Sequence, residues 1–341
     1  MKEYIITLDT GTTNTRASLW RLDGTFLGEE KSRAGVRNTA IDGNNEFLKK
    51  ETGACLRKLT SENGVAFEQV AGIFASGMVT SNVGLMEVPH LTAPACASDF
   101  ADSVFQADLP GVCPVPFYFI RGLKNELKDW KNLDNMDIMR GEEVETLALL
   151  TEYPAGMPYV FILPGSHTKF VFVNERKEIT GCLTTLTGEL LETVTNNTIL
   201  ADAVEKRFVS GETYQKNAVL AGYHAAKTQG FGRAAFLSRI YRMFGNSEEK
   251  ESVWTANFLL GTVLWNDVAA LRGCCSEERA AQTIGIVAGK EPFISGLTDL
   301  LSEDGYLKEV RRREPEPGPS LSARGAFGIA GIYLGKKHGM E

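Results

Sequence analysis

The chain has 341 residues, 43% hydrophobic and 23% charged, with a formal net charge of −7. That length exceeds what one hydrophobic core usually serves, so two domains are expected. An acidic chain without basic blocks excludes nucleic acid and an anionic membrane surface as expected partners, while a small anion could still be met by a few local Arg and Lys side chains.

The first apolar run, Tyr4–Leu8, is short and ends in Asp9, so it does not read as a signal peptide. Nor does any stretch reach the ~18 apolar residues of a membrane span. Residues 4–9 read as a buried strand, followed by the turn GTTNTR. ASLWRL alternates as a second strand, Asp23–Gly24 makes a hairpin turn, and TFLGEEKS is the third strand. A helix over Asn45–Asn63 and a buried strand, VAGIFASG, complete the pattern. That strand empties into the loop GMVTSNVGLMEVP, where Gly77, Met78, Ser81, Asn82 and Glu87 have the composition of a small-molecule pocket.

DIMRGEE, Asp137–Glu143, precedes the apolar run VETLALL, which places its acids in a first helical turn. One of Asp137, Glu142 and Glu143 is a candidate general base, and Arg140 has the planar fork suited to a carboxylate. After residue 150 the opening pattern returns in YVFILPGSHTKFVFV, with Gly11 matching Gly165 at a spacing of 154 residues. Thr12, Thr13, Asn14 and Thr15 then match Ser166, His167, Thr168 and Lys169. Such a duplicated strand–turn–strand suggests two related domains.

In both turns glycine permits close backbone approach, and hydroxyl and main-chain N–H groups offer donors to phosphate oxygens. Asp9 sits where it could bind Mg²⁺, directly or through water. Lys169 adds a point charge suited to phosphate. From Glu212 the chain reads as helical over Tyr214–Gln229, Gly232–Phe244, Ser252–Arg272 and Gly325–Gly335. TIGIVAG at 283–289 reads as a strand with a glycine turn, and EPEPGPS as a loop. His90, His224 and His338 stand apart and read as structural or surface residues. Six scattered cysteines without C-x-x-C suggest reduced thiols and a cytoplasmic setting.

These strings resemble the actin, hexokinase and heat-shock-ATPase superfamily, and more closely the 2-dehydro-3-deoxygalactonokinases. The resemblance rests on D-x-G-T-[ST]-N-x-R at Asp9–Arg16, G-M-x-x-S at Gly77–Ser81 and D-[VI]-M-R-G-E-E at Asp137–Glu143. L-P-G-[ST]-H-[ST]-K at Leu163–Lys169 and T-x-[ML]-T-G-E-L at Thr184–Leu190 extend it. Departures fall on the presumed substrate side: Gly84–Leu85 where Gly-Trp is frequent, Pro89–His90 where Pro-Tyr is frequent, and Ile120–Leu123 in place of V-P-G-L.

The resemblance implies an α/β protein of two duplicated ribonuclease-H-like domains, the actin-like ATPase fold with an interdomain ATP cleft, divided here into residues 1–125 and 126–341. It implies ATP and Mg²⁺ as cofactors, and phosphorylation of 2-dehydro-3-deoxy-D-galactonate to its 6-phosphate. Asp9, Gly11, Thr12, Thr13, Asn14, Arg16, Gly165, Ser166, His167, Thr168 and Lys169 would bind nucleotide, Asp9 the metal, and Glu142, before Glu143 and Asp137, would be the base. Gly285 and Gly289 would mark the adenine turn. Alternatives are a kinase of another sugar or sugar acid, a non-kinase ATPase of the superfamily, and a sugar-binding regulator without catalysis. A homodimer is the expected assembly, if any.

Overall fold

Alternation of apolar and polar residues sets the first sheet. The computed structural model describes residues 2–127, 129, 131, 133–244 and 250–337; the C-terminal His338 lies outside them. β1 (Tyr4–Thr10), β2 (Thr15–Arg21) and β3 (Phe26–Ser32) form an antiparallel meander. The short helix α1 (Val36–Asp42) and the longer α2 (Glu46–Glu62) lead to β4 (Val70–Gly77), which returns parallel to β1. β5 (Phe105–Ala107) and β6 (Phe117–Phe119) complete a six-stranded sheet in the order β3-β2-β1-β4-β6-β5.

The two faces of this sheet carry different chemistry, because side chains alternate along each strand. Ile6, Leu8, Ala17, Leu19, Ile73 and Ala75 point to one side and form a core with Leu48, Leu56 and Leu59 of α2. Thr7, Asp9, Arg16, Ser18, Trp20 and Ser76 lie on the other, as the register of the three strands requires. On that side Trp20 stacks on Phe327 of the C-terminal helix, Leu321–Lys337, with ring centroids 4.8 Å apart.

β7 (Tyr159–Leu163), β8 (Thr168–Val173), β9 (Ile179–Thr185), β10 (Ile284–Ala288) and β11 (Glu309–Arg313) build a second sheet in the order β9-β8-β7-β10-β11. β7 runs antiparallel to β8 and parallel to β10, as β1 does to β2 and β4. Both sheets therefore share the ribonuclease-H-like plan of the actin-like ATPase fold. The core of the second is made with long helices, chiefly Lys250–Cys274 through Leu260, Val263, Leu264 and Val268. Among the described residues no helix is long and apolar enough to cross a membrane.

The chain separates into two compact units, one of Met1–Ala155, Lys177–Gly181 and Pro317–Glu341, the other of Gly156–Arg176 and Cys182–Glu316. The expected boundary after residue 125 is thus displaced. Residues beyond it still serve the first unit: Ile138–Met139 pairs with Leu123–Lys124 in a small three-stranded sheet, and α3 (Glu142–Leu149) touches the C-terminal helix. The short strands between 91 and 139 escaped the sequence reading because two- and three-residue strands carry no measurable period.

Candidate active site

The two glycine turns are built alike. In the first, Gly11 N–H donates to the Asn14 carbonyl at 2.9 Å, and the side chains of Thr12, Thr13 and Asn14 are exposed. The start of α1 supports the turn from behind: Val36 N–H donates to Gly11 O at 3.2 Å and Arg37 N–H to Thr12 O at 2.9 Å. Gly35 is required there, since a Cβ would lie 2.4 Å from Thr12 O. In the second, Gly165, Ser166 and His167 are exposed, and Glu189 N–H, at the start of α4 (Thr187–Asn196), donates to Ser166 O at 3.0 Å. Gly188 repeats the role of Gly35, with a Cβ position 2.2 Å from Gly165 O. Among the described residues no acceptor takes the amides of Thr12 and Thr13, or of Gly165, Ser166 and His167. Outward N–H groups on a glycine turn form a concavity for anions.

Two neighbouring expectations change. Thr168 and Lys169 turn inward: Thr168 is fully buried, and the buried Lys169 Nζ donates to Thr184 Oγ1 at 2.6 Å. Strand pairing with β7 begins at Lys169, so its stem joins the sheet and not the turn. Asp267, on the Lys250–Cys274 helix, accepts from Thr168 Oγ1 at 3.2 Å, from Thr185 Oγ1 at 2.5 Å and from Thr187 Oγ1. Burial pushes its carboxyl up to about 6 against these three hydroxyls. It fastens the base of the second turn and was not singled out from sequence. His167 Nε2 lies 3.1 Å from Glu189 on the surface. Gly285 is no ligand turn: it lies inside β10, where a Cβ would meet Leu307 at 2.7 Å. Gly289 follows the strand and lies against Pro164, beside the second turn.

In the first unit several acids converge. Asp9 ends β1, opposite Arg16 and in register with Ser76. Gly77 approaches it closely; its φ of +79° suits glycine, and a Cβ would lie 2.7 Å from Asp9 Oδ1. Gly141, with φ +112°, starts α3 against Gly77, its Cβ position 3.5 Å from the Gly77 Cα. The two adjacent glutamates then separate, as neighbours on a helix must. Glu143 is fully buried, and both its oxygens accept from Gly141 N–H at 2.9 and 2.8 Å. It closes the helix start. Glu142 stays partly exposed and accepts from Arg140 N–H at 3.2 Å. Asp137 accepts from Ile138 N–H at 2.7 Å on the small sheet.

Glu145 joins the acids around Asp9, and sequence reading missed it. It lies three residues after Glu142, hence on the same helix face. Burial, then the charges of Asp9 and Glu142, push its carboxyl up to about 8. Burial pushes Glu143 up to about 8 as well, and Asp9 up to about 6 despite the opposing Arg16. The spacing Glu142–Glu145 was the available signal.

Arg140 reaches back across the loop after β4. Its guanidinium donates to Thr80 Oγ1 at 2.6 Å and to Val88 O at 2.9 Å, and lies 3.4 Å from His90 Nδ1. Burial and the Arg140 charge push the His90 imidazole down to about 4, which keeps it neutral. Burial pushes the half-buried Arg140 guanidinium down, against the opposing charges of Glu143 and Glu87. Ser81 donates to Met78 O at 2.7 Å and holds the loop's own turn, while Asn82 and Glu87 are exposed. Arg16 pairs with Glu29 at 3.4 Å.

Comparison with known proteins gives this arrangement its context. A family model described as 2-keto-3-deoxy-galactonokinase matches residues 9–306. The chain belongs to that family. A 2-dehydro-3-deoxygalactonokinase of Escherichia coli (strain K12) is 27% identical over 298 residues, 85% of this chain and 86% of its own. A Rhizobium meliloti (strain 1021) relative assigned the same activity is 25% identical over 288 residues, 84% of this chain and 79% of its own. A solved structure from Sinorhizobium meliloti, assigned to the 2-dehydro-3-deoxygalactonokinases, superposes with a TM-score of 0.69 at 21% identity, covering 96% of this chain and 97% of its own, and so shares the fold. As a member of the 2-keto-3-deoxy-galactonokinase family the protein is a sugar-acid kinase.

Proposed function

We propose that the chain transfers the γ-phosphoryl group of ATP to the 6-hydroxyl of 2-dehydro-3-deoxy-D-galactonate. The observation that carries this is the pair of matching turns, each exposed and each presenting amide N–H groups without a partner. Each has the amide donors that suit phosphate oxygens. The acceptor hydroxyl oxygen attacks the γ-phosphorus, the bond to the β-bridging oxygen breaks, ADP leaves, and the hydroxyl proton passes to Glu142. Arg140 takes the substrate carboxylate, for which its planar guanidinium is suited.

Mg²⁺ fits the residues present. Among the described residues no three His, Cys, Asp or Glu side chains could form a protein cage for a metal. Magnesium in kinases needs none: it takes one or two carboxylates together with substrate phosphates and water. Asp9 supplies the carboxylate, and the fully buried Ser76 hydroxyl, on the same sheet face, lacks a hydrogen-bond partner and suits a hard oxygen shell. When bound, the cation neutralises charge on the β- and γ-phosphates.

The test is ADP release against a panel of 2-keto-3-deoxy sugar acids differing in configuration. The galacto acid should be turned over fastest. If another member leads, Leu85 and His90 in the substrate loop are the residues to examine. ATP hydrolysis that ignores every acceptor would replace the kinase reading with that of a plain ATPase.

A further inference from the structure

We propose that Ser322, at the start of the C-terminal helix, is a positioning residue for Asp9 and so for the cation that Asp9 holds; this rests on the reading of Asp9 given above. The helix lies beyond residues 9–306, the stretch that the family model covers.

Ser322 is 2% exposed, and its Oγ donates to Asp9 Oδ2 at 3.4 Å. Among the described residues it is the one donor that the Asp9 carboxylate has; Arg16 lies opposite on β2 but pairs with Glu29. Behind Ser322 stands Ser320, 3.0 Å away, whose Oγ accepts from Ala323 N–H at 3.3 Å. The donors can therefore run in one direction, from a helix-start amide through two hydroxyls to the carboxylate, and such a chain polarises its members.

The helix that carries Ser322 is fixed on both sides. One turn further on, a Cβ on Gly325 would lie 2.0 Å from Val144 O, so the helix meets the backbone of α3 directly. Phe327 stacks on Trp20, and Tyr333 packs edge-on against Phe74 with centroids 5.9 Å apart. Ser322 thus has one place to be. It turns Asp9 Oδ2 toward itself and leaves the remaining lone pairs of the carboxylate for the cation. The same helix holds α3, and therefore Glu142, in place relative to Asp9.

The experiment measures Mn²⁺ binding to the full chain in the presence of ADP, by electron paramagnetic resonance, alongside steady-state kinetics. Ser322→Ala should weaken Mn²⁺ about tenfold, the usual scale for partners that orient a metal ligand. It should raise the Mg²⁺ concentration for half-maximal rate by the same factor, with KM for the sugar acid unchanged. Ser322→Thr, which keeps the hydroxyl, should restore both. Ser320→Ala, on the less buried residue, should give a smaller loss in the same direction and serves if Ser322→Ala folds poorly. Unchanged Mn²⁺ affinity in Ser322→Ala and Ser320→Ala, with loss in Asp9→Asn, overturns the inference and leaves the kinase reading standing. Unchanged affinity in Asp9→Asn removes the metal from this corner and the inference with it.

Discussion

Asp9 and Glu145 share a corner in which burial disfavours charge, and their titration sets measurable consequences. If Asp9 holds the proposed cation, Asp9→Asn should leave melting close to that of the parent and lower turnover by about 10²-fold or more. Glu142→Gln keeps the volume and removes the proposed base, so kcat should fall roughly 10²–10⁴-fold with a smaller change in KM. Glu143→Gln should act mainly on stability, because its oxygens close the start of α3. Glu143 and Glu145 are both pushed up to about 8 from an ordinary 4.5. The folded chain therefore holds more protons than the unfolded chain between those values, and stability falls as pH rises through that window. Glu145→Gln should stabilise the protein at pH 8 by roughly 1–3 kcal/mol and have little effect at pH 5. Thermal melts at the two pH values check this; an equal effect at both would show that Glu145 is ionised throughout.

Elements meet closely where glycine allows it, and these contacts are the sensitive ones. Gly325→Ala would drive a methyl into the Val144 carbonyl and should cost roughly 1–3 kcal/mol in denaturant titration. The strands leading into the two turns, the long helices between residues 214 and 272 and both glycine turns were legible in the sequence because each rests on local pattern: alternation in YIITLD and YVFILP, and Gly with Thr or Ser at the turn. What stayed hidden rests on distance along the chain. Ser322 meets Asp9 across 313 residues, and Asp267 meets Thr168 across 99. No window contains both partners. Lys169 misled for a related reason: the string LPGSHTK shows a cation beside a phosphate turn, but only strand register shows that it enters the sheet. Gly285 misled in the same way, since a glycine inside β10 and one in a turn look alike until Leu307 is placed beside it.

At the scale of the molecule, the first unit is assembled from three stretches of chain and the second from two. The C-terminal segment is therefore part of a core: Ala323, Ala326, Ile329 and Ala330 are buried, and Phe327 covers Trp20. Removing residues 317–341 should abolish hydrogen-exchange protection in β1, β2 and β4 while β7 and β10 keep theirs. Loss of protection throughout, or none, would contradict that division. The segment order also fixes a sequence of events during synthesis. A ribosome delivers residues from the amino end, at about 5–20 per second, and domains usually finish in that order. Here the unit that starts first must finish last. Every residue of the second unit has emerged by Glu316, while the first still lacks its closing helix. Asp9 is made 313 residues before its hydrogen-bond donor. The nascent chain thus carries the first glycine turn, with Asp9 beside it, long before the hydroxyl that meets Asp9 has been made.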